Sequence, residues 1–427
     1  MRLASRETAR KTDRSKQSSR HPSTKGFINT SQNVSLKRGR ILSEKGRGLL
    51  LALLGAAHSL NHSLFLVLPM YLSAIAAEFG TSREAIGLVA AVSGFVYGAG
   101  ALVGGPLSDK LGEFKTLVVS LALSGISTLI MLFAHDLIGL GIGLFFIGAW
   151  ASLYHPTSNS AISKVFERNM AEAMGIHGTG GNLGYMFAPI IIVMMGDVWG
   201  WRYPLIFFGL LSLIVSVLLL KASPTVTRES QATSKILDII RVPGLWTLLV
   251  YDIAVGLYFR GVEFIFPTFL EDRGFSSTLK GIAVFSLLAV GILGQWLGGK
   301  ASDSFGSKKT LIITSTGVVI SLVLLPTIPH AITSVCAFVV LFGFFFYGHQ
   351  PALSSLAGLI TPSSGRGAIY GILFFFTFGL GSASTAIASS CAERFSLESA
   401  FYVMTLFSII ALVMSLKAPP QNKRSRQ

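Results

Sequence analysis

Twelve apolar stretches, each long enough to cross a bilayer, follow one another between Leu49 and Leu416. A spanning helix needs about 20 residues. Inside lipid the backbone can be satisfied only by helices or by a closed barrel. Leu49–Ala74, Ala85–Leu107, Thr116–Ala134, Leu137–Ile162, Ala171–Met195 and Tyr203–Leu220 make six such stretches. Leu245–Leu270, Gly281–Ala301, Thr310–Thr327, Ile332–Leu359, Gly367–Ser390 and Ser399–Leu416 make six more. Each is too long for a strand, so an all-α polytopic membrane protein is predicted. A hydrophobic fraction of 51% against 13% charged residues excludes an ordinary soluble domain. The 45 glycines suit close helix–helix contact in lipid.

A turn motif occurs twice. Gly104-Gly105-Pro106-Leu107-Ser108-Asp109-Lys110-Leu111-Gly112-Glu113-Phe114-Lys115-Thr116 returns, 194 residues on, as Gly298-Gly299-Lys300-Ala301-Ser302-Asp303-Ser304-Phe305-Gly306-Ser307-Lys308-Lys309-Thr310. Gly148…Pro156 in the fourth stretch is matched by Gly343…Pro351 in the tenth at an offset of 195. Two motif pairs at nearly one offset imply two related halves, which in a membrane protein points to a secondary transporter. The expected organisation is a basic tail (1–47), a six-helix bundle (48–220), a cytoplasmic linker (221–243), a second, pseudo-symmetric six-helix bundle (244–416) and a short tail (417–427). The linker is the longest polar interruption after the tail. The tail's composition reads as disordered and solvated, with an organellar transit peptide as the alternative.

The net charge of +15 does not imply nucleic acid, because of where the charges fall. Lys110, Lys115, Lys164, Arg168, the linker and tail residues, Lys300, Lys308, Lys309 and Arg366 share one side of a twelve-span topology. Arg83, Arg202, Arg273, Lys280 and Arg394 are the basic residues on the other. This positive-inside asymmetry predicts both termini in the cytoplasm. The expected setting is the plasma (inner) membrane, with the lipid bilayer as partner and the chain a monomer.

Gly294-Gln295-Trp296-Leu297-Gly298-Gly299-Lys300-Ala301 imitates a phosphate loop. Ala301 stands where the metal-holding Ser or Thr belongs, and the segment ends an apolar helix rather than following a strand. No nucleotide or other cofactor is therefore expected. No nucleophile–base constellation is visible either, so the chain does not read as an enzyme.

The spans, the long central loop and Gly-x-Leu-x-Asp-(Arg/Lys)-x-Gly-x-(Arg/Lys) after the second span resemble the major facilitator superfamily. The first copy matches at Gly105, Leu107, Asp109, Lys110, Gly112 and Lys115. The second keeps Gly299, Asp303, Gly306, Lys308 and Lys309, with Ser304 in place of the basic residue. Tyr154-His155-Pro156, Gly180-Gly181-Asn182-Leu183-Gly184, Pro189 and the His58-x-x-Asn61 pair are similar to the fosmidomycin-resistance branch of efflux carriers. His62 stands where that branch often has an acid. The resemblance implies proton-coupled export of a small organic solute by alternating access. Uptake of a sugar or organic acid is the alternative, and a non-coupled sensor is a further one. It also implies that spans one, four, seven and ten line a central cavity. The repeated turn reads as a cytoplasmic latch, with Gly112 and Gly306 allowing the reversal, or else as a topogenic loop.

Ionisable groups inside lipid are costly and mark function by default. Here they fall on four spans: His58, Asn61 and His62 on the first, Tyr154 and His155 on the fourth, Asp252, Arg260 and Glu263 on the seventh, His349 and Gln350 on the tenth. His177 on the fifth is the main exception. His58 and His62 share a helix face at i, i+4. Asp252 and Glu263 lie three turns apart on one face, and Arg260 is placed to pair with Glu263 or to receive an anionic group. Either acid is a candidate proton carrier, and the histidines suit a relay. His155 and His349 sit beside Pro156 and Pro351, so each either faces the cavity or satisfies a proline kink. No third ligand lies near His58 and His62 in sequence, so no metal is expected. Gly178, Gly181 and Gly184 recur every three residues and read as a helix-packing seam.

Overall fold

Backbone groups that find no water in lipid must pair within their own segment, and the chain answers with helices throughout its described residues. The computed structural model describes residues 43–166, 169–224, 242–328, 331–361 and 366–420. The tail expected over 1–47 lies outside these up to residue 42, as do 225–241 of the linker and 421–427 of the last tail. Twelve helices among the described residues are long and apolar enough to span a membrane. They are Glu44–Met70, Arg83–Leu111, Glu113–Phe133, Leu137–Val165, Glu172–Trp199 and Arg202–Ala222, then Leu245–Asp272, Ser277–Phe305, Ser307–Thr327, Ala331–Ile360, Ile369–Arg394 and Leu397–Lys417. They are called the first to twelfth spans below.

Helix packing repeats between the first six spans and the last six. The first span packs on the fifth and sixth, the second on the fourth, and the third on the fourth and sixth. Each pair has its counterpart six spans later: seventh with eleventh and twelfth, eighth with tenth, ninth with tenth and twelfth. Local signals repeat as well. Ser82 and Ser276, 194 residues apart, both cap the helix that follows them, accepting from the amides of Ala85 and Leu279. The two repeated turns reverse through Gly112 (φ 93°, ψ 142°) and Gly306 (φ 91°, ψ 146°), a region essentially closed to residues with a Cβ.

The two sets of six meet along the second span with the eleventh and the fifth with the eighth. These seams are tight toward the face opposite the chain termini. Gly98 lies so close to Gly379 that a Cβ there would stand 2.2 Å from the Gly379 nitrogen. Ser382 donates to the Ala91 carbonyl and Thr385 to that of Gly87, both at 2.9 Å. At the rim Arg83 pairs with Asp272 (3.3 Å) and Arg394 with Glu84 (2.7 Å), while the buried Lys280 ammonium donates to the Met70 carbonyl (2.8 Å). On the termini side the space between the halves is lined by Asn159, Met174, Gly178, Ser354 and Tyr370, which lie toward the termini-side ends of the fourth, fifth, tenth and eleventh spans. The described state is closed at the far face and open toward the termini.

The glycine seam of the fifth span differs in one member from its expectation. A Cβ at Gly181 would enter the His58 ring and one at Gly184 would strike Ser59, so both are packing positions against the first span. Gly178 is not; it meets nothing within 4 Å and lines the cavity. At 100° per residue a three-residue repeat drifts around the helix, and Gly180, against Gly55, takes the missing place.

Candidate functional site

A cavity of about 580 Å³ lies between the two sets of helices. One wall is a histidine cluster. His58 and His62 come from the first span, His155 from the start of the second helical segment of the fourth, and His177 from the fifth. The fourth span breaks after Ala151 and resumes at Tyr154, just ahead of Pro156. His58 Nε2 and His62 Nε2 stand 3.1 Å apart, so one imidazole donates and the other accepts. His58 Nδ1 lies 3.3 Å from the His177 carbonyl oxygen. Ring centroids of His155 are 5.0 Å from His58 and 5.1 Å from His62, and the His177 ring stacks on His58 at 4.5 Å.

The opposite wall is the charged face of the seventh span. Arg260 pairs with Glu263 one turn on, and the Tyr185 hydroxyl donates to the same carboxylate from the fifth span. The Arg260 guanidinium also lies 5.7 Å from the Phe378 ring centre, within range of a cation–π contact. Asp252 accepts from Thr377 at 2.9 Å. Thr377 sits in a π-helical stretch, Phe375–Leu380, that interrupts the eleventh span; such bulges often occur at functional sites. An amide string crosses between the halves: Asn182 donates to Gln295 (2.8 Å), and Gln295 to Gln350 (3.3 Å). His349 lines the cavity with its Nδ1 against the Phe346 carbonyl.

Eight of the ten expected cavity residues therefore face this space: His58, His62, His155, Asp252, Arg260, Glu263, His349 and Gln350. Asn61 and Tyr154 do not. Asn61 is buried, donating to the Ala151 carbonyl (3.0 Å) and accepting from Tyr97 (2.7 Å). Tyr154 is buried and donates to the Leu54 carbonyl at 2.6 Å. Both satisfy helix-break or backbone partners, the commonest fate of a buried polar group. Sequence reasoning missed Tyr97, Asn159, Asn182, Tyr185, Gln295 and Thr377. The uncharged amides in the fifth and eighth apolar runs were the available signal. The expectation of no metal also loses its ground, since the third nitrogen arrives from the fourth span: one ligand atom from each of His58, His62 and His155 lies within 4.8 Å of the others.

Four lining atoms find no partner among the described residues: His155 Nε2, His177 Nδ1, Asp252 Oδ2 and Arg260 Nε. A buried unpaired polar atom costs about 1–3 kcal/mol, and these four are shielded by the side chains around them. At the repeated turns, Asp109 is exposed. The ion pair there belongs to Glu113, buried, which meets Lys164 of the fourth span and accepts from Ser160 (3.2 Å). In the second copy Ser307 takes the place of Glu113, its hydroxyl 2.9 Å from that of Ser302.

Twelve spans in two matching sets of six around a polar central cavity define a membrane solute carrier. The sequence matches the family model of the Major Facilitator Superfamily over residues 51–386 and again over 291–427, and the chain belongs to that superfamily. It is 24% identical over 390 residues to the gentisate transporter of Corynebacterium glutamicum, covering 87% of this chain and 86% of that one. It is 27% identical over 254 residues to a Cupriavidus necator protein named "Probable sulfoacetate transporter SauU", covering 53% and 58%. Among solved structures, a bacterial homologue of the human lysosomal transporter Spinster aligns with TM-score 0.71 at 18% identity over 88% of this chain and 97% of that one. A variant of the nucleoside transporter NupG aligns with TM-score 0.73 at 13% identity, over 87% and 98%. The superfamily and these relatives are transporters, not enzymes.

Proposed function

We propose that this chain carries a small organic anion, a carboxylate or sulfonate, across the membrane by alternating access, together with protons. The observation that carries the reading is the Arg260–Glu263–Tyr185 set in the cavity wall. With Glu263 ionised, Arg260 is occupied by its neighbour and a second anion is repelled. A proton on Glu263 removes that repulsion and frees the guanidinium for the solute. Proton and anion then favour one another's binding, which is the coupling a symporter needs. The names of the gentisate and sulfoacetate relatives, both organic acids, support the same substrate class. The positive-inside distribution supports cytoplasmic termini in a plasma membrane, which makes the described state inward-open. The two sets of six helices, bounded near 48–220 and 244–416, are the rocking bodies, and the Gly–Asp–Gly turns latch them. Export is the second reading, supported by the motifs around His58, Tyr154 and Gly181 that resemble the fosmidomycin-resistance branch.

Proteoliposomes subjected to a pH jump in the presence of aromatic carboxylates, sulfoacetate and a drug panel test the proposal. Uphill accumulation of an organic anion with stoichiometric proton movement is expected. Glu263→Gln should abolish accumulation while keeping solute exchange at equal pH. Full accumulation by Glu263→Gln and by Asp252→Asn removes the proton-carrier assignment, and proton movement opposite to the solute establishes export by antiport.

A further inference from the structure

The histidine wall of the cavity has a geometry that anion binding alone does not use. We propose that His58, His62 and His155 bind a divalent transition-metal ion of the zinc class, with its remaining coordination position on the cavity side. The proposal rests on this cavity being open to solutes, and not on which anion it carries.

Tetrahedral zinc–imidazole bonds of about 2.0–2.1 Å place ligand nitrogens roughly 3.3–3.4 Å apart. The His58 and His62 Nε2 atoms already stand 3.1 Å apart, and all three ligand atoms lie within 4.8 Å of one another. His155 Nε2 is buried and has no partner among the described residues, so no bond must break for it to ligate. A ligating histidine usually donates its other ring N–H to a backbone carbonyl, which fixes the tautomer. His58 has that arrangement: with Nδ1–H donated to the His177 carbonyl, its Nε2 is left to accept from the His62 Nε2–H. Metal binding replaces that hydrogen bond, the His62 proton moving to Nδ1 so that both Nε2 atoms can ligate. Gly181 makes the pose available, since a Cβ there would lie 2.2 Å from His58 Nδ1. The set of three imidazoles without a thiolate suits Zn²⁺, Co²⁺ or Ni²⁺ rather than Ca²⁺ or Mg²⁺. Arg260 opposes a cation in this cavity, but its charge is offset by Glu263.

The full-length chain, purified in detergent, freed of any affinity tag and stripped with chelator, is titrated with Co²⁺. Low-coordinate Co²⁺ absorbs strongly in the visible, and Zn²⁺ should then displace it. One equivalent is expected to bind. His58→Ala, His62→Ala and His155→Ala should each weaken binding by about tenfold or more, with His155→Gln as the volume-keeping substitute should the alanine variant fail to fold. Gly181→Ala removes no ligand, yet by shifting the His58 ring it should weaken binding on the order of ten- to a hundredfold, as a disturbed supporting shell does. His135→Ala, an exposed histidine outside the cavity, should leave the affinity unchanged. Absence of saturable binding, or equal affinity in the His155 variants, overturns the metal site. A chain that transports anions without binding Co²⁺ keeps the carrier reading and loses this one. A chain that binds Co²⁺ but moves no anion does the reverse.

Discussion

Glu263 answers to two partners, the Arg260 guanidinium and the Tyr185 hydroxyl, in the part-buried wall of the cavity. Removing one member of a fully buried ion pair costs about 3–5 kcal/mol, and less where the pair borders a cavity. Glu263→Gln should therefore lower stability by about 1–3 kcal/mol, and the double variant Arg260→Gln/Glu263→Gln should recover much of it. Thermal unfolding of the three proteins in detergent checks this; additive losses would mean the pair contributes nothing of its own. Glu78, outside the spans, offers a pH test. The hydrogen bond from Arg202 (2.7 Å) holds its carboxyl below the usual range against the opposing effect of burial, and Trp201 (2.8 Å) adds to the lowering. A lowered folded-state pKa stabilises above the ordinary carboxylate range and is lost as the pH falls through the lowered value. The gap in melting temperature between the parent and Glu78→Gln should thus be present at neutral pH and close on acidification. Which polar residues line the cavity was legible because lipid makes charge expensive: His58, His155, Asp252, Arg260 and Glu263 stood out against apolar runs. Where each points was not. Asn61 and Tyr154 carry the same kind of side chain as their neighbours but are turned by a break in the fourth span toward carbonyls the sequence does not mark.

The second and eleventh spans form an element-scale device. Gly87, Gly94 and Gly98 face Ser389, Ser382 and Gly379, so the seam closes to backbone contact. The crowding of glycines in the second span was readable, but its partner was not, because a stripe of small residues records a close approach without naming what approaches. The interruption of the eleventh span by a π-helix at Phe375–Leu380 left no mark in Phe-Phe-Thr-Phe-Gly-Leu that periodicity could detect. Gly98→Ala inserts a methyl group against the Gly379 backbone and should disfavour the described state by about 1–3 kcal/mol, the usual cost of overpacking. In a background lacking Cys336 and Cys391, a cysteine at Ser354 in the cavity reports the change. Its labelling from the termini side should slow several-fold in Gly98→Ala, while an unchanged rate would mean the seam relaxes around the methyl group. Pro351 lies inside a continuous tenth span, whereas Pro156 follows a break in the fourth. The paired prolines of the two halves have thus diverged in backbone although they share an offset.

Across the whole molecule the repeat is kept in the backbone of its two turns and differs in the residue that follows each turn glycine. Gly112 and Gly306 agree within a few degrees, so alanine at either should cost of order 1–3 kcal/mol. The residue after each turn glycine differs: Glu113 holds Lys164 in the first copy, and Ser307 meets Ser302 in the second. Glu113→Gln should accordingly slow transport turnover more than Ser307→Ala, with similar substrate affinity in both. Equal effects would place the asymmetry elsewhere. The halves themselves were legible from the offset of 194, because related sequences in lipid have few ways to fold differently.

The hydroxyls that join the halves at the far face each hold a second acceptor in their own helix. Ser382 bonds the Gly379 carbonyl (2.6 Å) as well as that of Ala91, and Thr385 bonds that of Ser382 (2.8 Å) as well as that of Gly87. When the halves part, neither hydroxyl is left searching for a partner, and the carbonyls they release stay bonded in their own helices. Separation at this depth can start dry, with no file of water threading ahead of it to conduct protons. For the proton-coupled transport proposed above, such a parting line is an advantage: the barrier yields without springing a leak.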